Sequence, residues 1–266
     1  MVWFTHNLNA MLTDFHLQSF LRDGYVIAEA LLPSTRVEEI NANLSRLALT
    51  ADSDNVGKGW VLDLELGSDP TMPRELRVRK YRDLGLGDDY FWALAKDSEV
   101  IGCVATLIGN EPQLLQTMAL VKSPEIGSAK DWHQDVPYFP IAPARDVVGV
   151  WIALDDATLD NGCMQVVPAS HLLGPVAHVQ GPTGWRLDPG ICERLQTSVI
   201  PLPMRAGSAL FFDGALFHFT AANRSRQRRR ALQNHYVPAS TRIAEGRTGM
   251  LFPLSSEHPP LAVTSS

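Results

Sequence analysis

The second half of the chain consists of short β-rich runs, and no other feature constrains the fold as strongly. From Leu114 onward these runs are separated by Pro, Gly and Asn, residues that mark turns. The runs are LLQTMALV, VVGVWIAL, MQVVP, SALFF, LFHFT and RALQNHYVP. Several short strands at loose spacing are typical of an antiparallel barrel or jelly roll, whereas a parallel sheet would need crossover helices between its strands.

The first half of the chain shows helical spacing of its apolar residues. Thr13 can cap a first helix that Gly24 ends, and residues Tyr25 to Ile27 are predicted to form a strand. A second helix is predicted to start at Ser34 or Thr35. It carries four apolar residues at helical spacing: Val37, Ile40, Leu44 and Leu47.

Two longer segments complete this half. Residues 51–75 are polar, with Gly, Asp and Pro, and are predicted to form a loop over the core, whereas Leu84 to Gly109 is predicted to be mostly helical. We therefore expect a mainly β protein with flanking helices (α+β) and a double-stranded β-helix core, the cupin-like jelly roll. A length of 266 residues suits one domain, spanning 1–266, in which the N-terminal helices pack on that core.

Charge and cysteine content argue against several functional classes. The net charge of −6 does not favour an extended nucleic-acid surface. Three widely spaced cysteines, Cys103, Cys163 and Cys192, indicate a reducing compartment and hence a cytoplasmic protein. The N-terminus lacks the basic and apolar segments of a signal peptide, and no apolar run reaches the length of a membrane span. We expect a small-molecule substrate, without a nucleic-acid or membrane partner.

A histidine and an aspartate stand two positions apart in DWHQDVPYFP, residues 131–140. On a strand, residues i and i+2 point to the same side, so His133 and Asp135 can face one cavity. Asp131 has the same parity and is a spare carboxylate. Two histidines and one carboxylate on one face of a metal form the ligand set of non-haem Fe(II) oxygenases. The tripeptide alone does not decide this, because a histidine beside prolines is more often a structural residue.

A third ligand would have to come from another strand. The chain has eight histidines, three of which lie near its ends. His171 and His178 lie in loop-like segments, and His235 lies in a predicted strand close behind a cluster of arginines. His218 in GALFHFTAAN stands out, because it follows the apolar run SALFF and a turn and shares its strand face with Thr220.

The arginine cluster NRSRQRRRA allows three interpretations. Most of its five arginines suit a solvated loop, and a nucleic-acid site would need a wider basic surface than the sequence offers. The third interpretation needs only Arg229. If Arg229 opens the final strand, Ala231 and Gln233 share its face, and a guanidinium between such residues is costly unless a carboxylate meets it. Arginine binds carboxylates bidentately, so a cosubstrate with a distal carboxylate would fit.

Together these residues resemble the phytanoyl-CoA dioxygenase family of Fe(II)- and 2-oxoglutarate-dependent oxygenases. The similarity runs from FLRDGYVI to RALQNHY, with an arginine eleven positions after the histidine in the last block (229 − 218 = 11). Two departures are modest: PAS stands where the family more often has Pro-Gly-Ser/Thr, and Thr220 where it more often has Ser. The four strongest blocks are QTMALVKSP, DWHQDVPYFP, VWIALDDATLDNGCMQVVPASH and HFTAANRSRQRRRA.

The resemblance implies a role for each matching residue. His133, Asp135 and His218 would bind iron, and Arg229 would hold the far carboxylate of 2-oxoglutarate with Thr220 beside it. Three further residues match positions that contact the same cosubstrate: Met118, Trp151 and Lys80.

The implied enzyme is an oxidoreductase, a dioxygenase that uses Fe(II), 2-oxoglutarate and O2, with ascorbate as the reductant. It would decarboxylate 2-oxoglutarate to succinate and oxidise an unactivated C–H bond. Hydroxylation is the default outcome, and epimerisation, desaturation and cyclisation use the same iron chemistry. Asp135 favours oxygenation over halogenation, because halogenases of this fold carry a small residue in place of the carboxylate.

The predicted mouth of the pocket is mainly apolar. Tyr138 and Phe139 follow the metal corner and are candidate substrate contacts. The loops at 58–79 and 171–194 bring four more apolar residues: Trp60, Leu172, Leu173 and Trp185. This composition favours a small, largely apolar molecule and a tailoring step in natural-product (secondary metabolite) biosynthesis.

The sequence leaves three alternative functions open. A fatty acyl-CoA 2-hydroxylase would need a basic rim around its pocket to bind the CoA phosphates. Arg224, Arg226 and Arg228 are candidates for this rim, but they flank a strand that is not expected to form it. A non-catalytic small-molecule-binding barrel would need no metal ligands. A cupin-type enzyme without an oxoacid would need no Arg229.

Overall fold

A computed structural model of the chain describes residues 12–51, 59–182, 184–195 and 198–255. The helices lie mainly in the first part of the chain, interspersed with three strands. In order, these elements are α1 (Asp14–Asp23), β1 (Tyr25–Ala28), α2 (Ser34–Thr50), β2 (Val61–Leu64), α3 (Arg74–Arg77), β3 (Val78–Arg82), α4 (Leu84–Gly87), α5 (Asp89–Ala95) and α6 (Ser98–Ile108).

The remainder is mostly strand. Its elements are β4 (Pro112–Lys122), β5 (Lys130–His133), β6 (Ile141–Ala142), β7 (Val148–Ala153), β8 (Met164–Val166), β9 (His178–Gly181), β10 (Gly184–Leu187), α7 (Pro189–Leu195), β11 (Ile200–Leu202), β12 (Ala209–Asp213), β13 (His218–Thr220), β14 (Arg229–Pro238), β15 (Arg242–Ile243) and β16 (Phe252–Pro253). Two short 3-10 helices, Val136–Tyr138 and Ser170–Leu173, lie between strands. None of the helices described is long and apolar enough to cross a membrane.

Two antiparallel sheets form the core. The larger sheet has the order β1-β12-β7-β14-β4-β3-β2, with β16 beside β4, and the smaller sheet has the order β11-β8-β13-β5. Two hairpin-like pairs, β10-β9 and β15-β6, lie outside them. The predicted jelly-roll core with flanking helices is confirmed.

The larger sheet has an outer face covered by helices and an inner face turned to the smaller sheet. Phe20, Leu44 and Trp92 from the helices pack in one buried cluster with residues of β7 and β14 such as Val150. On the other side, Trp151 packs in a second cluster with residues of β8, β11 and β12. Val150 and Trp151 are adjacent, so strand alternation divides β7 between the two layers.

The predicted helices are confirmed with their ends. Thr13 is the N-cap of α1, and Gly24 ends it in the left-handed conformation at φ 84°. The four apolar residues predicted for α2 are all buried. The segment from Leu84 to Gly109 divides into α4, α5 and α6, because Asp88 and Asp97 accept backbone hydrogen bonds as N-caps of the second and third.

The prediction of a loop over residues 51–75 is wrong in part. Val61–Leu64 forms β2, which pairs with β3 at the edge of the larger sheet. Trp60 is only 5% exposed and packs against Tyr81, with ring centroids 6.1 Å apart. It therefore belongs to the core and not to the mouth of a pocket. Residues 52–58, including Lys58, lie outside the described residues, as do His6 and His258.

All six β-rich runs of the sequence form strands, whereas several shorter strands were not predicted. The missed strands include β9 and β10, which are four residues long and carry polar or glycine residues. Their pairing partners, and not an intrinsic pattern, hold them in the extended conformation.

Gly149 in β7 leaves the space that the Phe212 ring of β12 occupies. A Cβ added there would lie 2.3 Å from Phe212 Cζ, so we expect Gly149→Ala to lower the free energy of unfolding by about 1–3 kcal/mol. Gly102 in α6 is the matched control, since a Cβ added there meets nothing within 4 Å. Gly102→Ala should raise the same free energy by about 0.5–1 kcal/mol. Urea unfolding followed by circular dichroism measures both. Equal effects of the two substitutions would contradict this packing argument.

Candidate metal centre and cosubstrate pocket

Strand pairing in the smaller sheet brings two histidines together. In the antiparallel pair β5–β13, His133 lies directly opposite His218. Their ring centroids are 4.0 Å apart, and both side chains are buried. The register of this strand pair therefore makes neighbours of two histidines that are far apart in the sequence.

Asp135 reaches the same place by a route that differs from the prediction. The argument from strand parity placed His133 and Asp135 on one strand face, but β5 ends at His133 and Asp135 has helical backbone angles at the start of a 3-10 turn. Its backbone N–H donates to the carbonyl of Gly214 at 2.7 Å, which fixes the turn. As a result, Asp135 Oδ1 lies 3.3 Å from His133 Nε2 and 3.6 Å from His218 Nε2.

Backbone carbonyls orient both rings. His133 Nδ1 donates to the carbonyl of Asp131 at 2.8 Å, and His218 Nδ1 donates to that of Leu216 at 2.9 Å. Each ring therefore turns Nε2 toward the other and toward Asp135. Asp131 contributes its backbone here, and the structure does not place its carboxylate in the cluster.

The charge states of the three groups suit a metal. Burial lowers the pKa of His133 to about 3 and also lowers the pKa of His218, so both rings are neutral at pH 7. Burial alone would raise the pKa of Asp135, but the neighbouring His218 and His235, together with the hydrogen bond from His235, hold it well below its usual range. Neutral imidazoles with a carboxylate are the form in which these residues bind metals.

The donor set fits Fe(II). One nitrogen from each histidine and one oxygen from Asp135 lie within 4.8 Å of one another. Two histidines and one carboxylate form the facial ligand set that leaves positions open for other ligands. Among the described residues, no other group of three such side chains meets this distance.

A cavity of about 560 Å³ opens beside this cluster. That volume is typical of small-molecule sites. The ten residues that the sequence predicted as metal ligands, cosubstrate contacts or substrate contacts next to the metal corner all line it. These are His133, Asp135, His218, Arg229, Thr220, Met118, Trp151, Lys80, Tyr138 and Phe139.

Arg229 supplies a buried cation at the start of β14. It is 1% exposed, and burial lowers its pKa to about 10, so it remains charged at pH 7. Its Cζ lies 5.4 Å from the centroid of the Trp151 ring. Its Nε and Nη1 atoms have no hydrogen-bond partner among the described residues. Two unsatisfied donors on a buried guanidinium are the arrangement that a carboxylate ligand would complete.

Three of the predicted cosubstrate contacts lie on strands of the larger sheet that follow one another in the order β7-β14-β4-β3: Trp151, Met118 and Lys80. Met118, Gln233 and Trp151 lie side by side on β4, β14 and β7. Lys80 on β3 pairs with Leu120 of β4 and lines the same cavity. Burial lowers the pKa of Lys80, and no hydrogen bond is formed by its ammonium group within the described part of the chain.

Tyr138 and Lys130 form the opposite wall near the mouth. Lys130 Nζ donates to Tyr138 Oη at 2.8 Å, and Tyr138 Oη donates to the carbonyl of Trp185 at 2.5 Å. Burial lowers the pKa of Lys130 to about 8. Trp185 is half-exposed and lines the cavity, as predicted, whereas the exposed residues Leu172 and Leu173 do not line it.

Gln134 ties the metal corner to the segment before β9. Its Nε2 donates to the carbonyls of Gly174 and Ala215 at 2.8 and 2.7 Å, and its Oε1 accepts from the N–H of Val176. His178 accepts from the backbone N–H of Gln134 at 3.0 Å. The sequence placed His178 in a loop-like segment, but it is the first residue of β9.

The arginine cluster is less solvated than predicted. Arg224 and Arg226 are exposed, but Arg228 forms a part-buried ion pair with Glu75 at 2.6 Å. Arg230 pairs with Asp155 through two nitrogens at 2.7 and 2.9 Å. These pairs hold the start of β14 on both sides of Arg229.

The sequence interpretation missed the role of His235. Its Nε2 lies 2.8 Å from Asp135 Oδ2, and its side chain is buried. The sequence contains a signal for this role, because residues 229, 233 and 235 alternate along one predicted strand and share a face.

The profile of the phytanoyl-CoA dioxygenase (PhyH) family matches residues 20–231, which is well over half of the chain. The chain belongs to this family. It is therefore an Fe(II)- and 2-oxoglutarate-dependent dioxygenase, in agreement with the donor set described above.

Proteins of the phytanoyl-CoA dioxygenase family align with much of this chain. The phytanoyl-CoA dioxygenase domain-containing protein 1 of Mus musculus is 30% identical over 178 residues, which cover 64% of this chain and 60% of that protein. The homolog from Caenorhabditis briggsae is 25% identical over 256 residues, which cover 83% of this chain and 89% of the relative.

Solved structures show the same fold. The non-haem α-ketoglutarate-dependent epimerase SnoN from nogalamycin biosynthesis is 24% identical, with a TM-score of 0.69 over 87% of this chain and 85% of SnoN. EctD from S. alaskensis, solved with 2-oxoglutarate and 5-hydroxyectoine, is 19% identical, with a TM-score of 0.71 over 96% of this chain and 83% of EctD. SnoN has also been solved with Fe3+ and α-ketoglutarate.

Proposed function

We propose that this family member couples decarboxylation of 2-oxoglutarate to oxidation of a C–H bond in a small organic molecule, at a metal held by His133, Asp135 and His218. The observation that carries the proposal is the shared cavity. Three metal-binding side chains and a buried guanidinium with two unsatisfied donors line it together. Bound iron would supply the activation of O2 that this oxidation requires, with ascorbate keeping the metal reduced.

Different residues of the chain are proposed to position different parts of the cosubstrate 2-oxoglutarate. Arg229 holds the far carboxylate of 2-oxoglutarate, and Thr220, on β13 of the smaller sheet, lines the same cavity. Met118 and Trp151 supply a flat apolar wall that excludes water from the cosubstrate. Lys80 adds a second positive charge toward the same dianion.

The substrate is proposed to occupy the side of the cavity near Tyr138, Phe139 and Trp185. Apolar groups such as Leu115, Ile243 and Met250 also line the cavity, while Lys130 and Tyr138 offer hydrogen bonds. This lining supports a small, largely apolar molecule with a polar handle. Relatives of the same fold act in nogalamycin biosynthesis. We therefore favour a tailoring reaction, such as hydroxylation or epimerisation, in secondary metabolism.

A fatty acyl-CoA 2-hydroxylase is the second candidate, favoured by the family name alone. The candidates for binding CoA phosphates were Arg224, Arg226 and Arg228, and none of the three lines the cavity. A single-domain cytoplasmic enzyme remains our expectation for the organisation and location of the chain, supported by its sparse cysteines. The two cysteines with described side chains, Cys103 and Cys163, are buried, and neither forms a disulfide within the described part of the chain.

Turnover of the cosubstrate can be tested before the substrate is known. Purified protein supplied with Fe(II), ascorbate and O2 should convert 2-oxoglutarate to succinate slowly, and His133→Ala should not. Succinate is quantified by mass spectrometry, with metal-free protein as the blank. If wild-type protein and His133→Ala produced succinate at the same rate, the metal assignment would fail.

A further inference from the structure

The two oxygens of Asp135 have different surroundings. Oδ1 faces His133 Nε2 and His218 Nε2, at 3.3 and 3.6 Å, on the side where a metal would bind. Oδ2 faces away from those rings, toward β14. There it lies 2.8 Å from His235 Nε2 and 3.3 Å from Gln233 Nε2.

The direction of these hydrogen bonds follows from the charge on Asp135. A carboxylate that binds a metal is ionised and carries no hydrogen, so Oδ2 can only accept. His235 Nε2 must then carry a hydrogen and donate it, and the Gln233 amide donates as well. A carboxylate bonded in this way through one oxygen has the other directed and free for a metal.

Two phenylalanine rings pack against the ring of His235. Phe139 packs against it edge to face with centroids 5.0 Å apart, and Phe212 does so at 6.3 Å. Phe212 also contacts His218, at 5.0 Å between centroids. Gly149, directly opposite His235 on β7, leaves the room that Phe212 needs.

The strand pairing at this point is irregular on one side only. The register of β14 against β4 shifts between His235 and Tyr236, because Leu115 of β4 is skipped. Against β7 the pairing is regular, with His235 opposite Gly149 and Tyr236 opposite Val148. The His235 side chain therefore keeps the alternation of β14 that also turns Arg229 and Gln233 toward the cavity.

We propose that His235, assisted by Gln233, is a positioning residue that holds Asp135 Oδ2 so that Oδ1 alone faces the metal. This inference rests on the proposed metal site and adds a residue outside the three ligands. Phe139 thereby gains a second role, because it packs the His235 ring as well as lining the substrate side of the cavity.

Two substitutions separate hydrogen bonding from packing. His235→Phe keeps a ring between Phe139 and Phe212 but removes the donor, whereas His235→Gln loses the ring but places an amide N–H near the position of Nε2. Loss of a hydrogen-bond partner behind a metal ligand typically weakens metal binding by about 10- to 100-fold. We expect that loss of Mn(II) affinity in His235→Phe, and near wild-type affinity in His235→Gln.

Titration calorimetry of Mn(II) into metal-free protein measures both affinities, and melting temperatures without metal report on packing. If His235→Phe binds Mn(II) as wild type does, or if His235→Gln loses as much affinity as His235→Phe, the hydrogen-bonding role is overturned. Wild-type protein and His133→Ala provide the reference. If these two bind Mn(II) equally, the proposed metal site itself has failed, and not only the role of His235.

Discussion

Replacing Arg229 with alanine should raise the 2-oxoglutarate requirement by two to three and a half orders of magnitude. The guanidinium is buried with two unsatisfied donors, so the cosubstrate carboxylate is the partner that completes it. Removing one member of a desolvated charge pair costs about 3–5 kcal/mol, which corresponds to that loss of affinity. None of the three candidate metal ligands lies on β14, so Mn(II) binding should stay nearly intact. The measurement is succinate formation against 2-oxoglutarate concentration.

Two further variants make the Arg229 result specific. Arg229→Lys should rescue only in part, because an ammonium lacks the planar fork that matches a carboxylate. Arg226→Ala is the matched control, since Arg226 is an exposed arginine of the same cluster. Arg228 is unsuitable for this purpose, because it pairs with Glu75. An unchanged half-saturation in Arg229→Ala, or an equal defect in Arg226→Ala, would refute the cosubstrate assignment.

Replacing Asp135 with glycine should abolish turnover. The substitution removes one of three candidate metal-binding atoms that lie within 4.8 Å of one another. Loss of a ligand should weaken Mn(II) binding by more than the roughly 100-fold that can follow loss of a supporting hydrogen bond. Calorimetric titration with Mn(II) and succinate formation give independent measures of this effect.

Asp131→Asn is the matched control for Asp135→Gly. Asp131 lies at the same sequence distance from His133 on the other side, and it orients His133 through its backbone carbonyl, which asparagine retains. This variant should bind Mn(II) and turn over like wild type. Wild-type turnover in Asp135→Gly would remove Asp135 from the site.

The sequence was sufficient to predict the kinds of residues at the site and most of the strands that carry them. His218 and Arg229 could be found because each stands at a defined place in an apolar strand. The turn that brings Asp135 to the two histidines could not be predicted from the sequence. It depends on a hydrogen bond from the Asp135 backbone N–H to Gly214, which lies far away in the sequence. Strand parity gave the right residue here for an incorrect reason.

Burial of aromatic residues in polar segments was the second failure of sequence reasoning. Trp60 follows a Gly- and Asp-rich stretch, which predicts an exposed loop, yet it packs into the core. The decisive contacts come from Tyr81 and the strand pair β2–β3, which only the tertiary structure reveals. Trp185, by contrast, lies on a short hairpin and remains half-exposed at the cavity.

The concentration of site residues on β14 limits how this family member can change in length. One face of this strand carries Arg229, Gln233 and His235. A single-residue insertion between any two of them would turn the side chains on one side of the insertion away from the cavity. The strand is paired with β4 along ten residues and with β7 along six, so its register has little freedom to compensate. Evolutionary insertions and deletions should therefore be tolerated just before β14, near the exposed Arg226, and be eliminated within it.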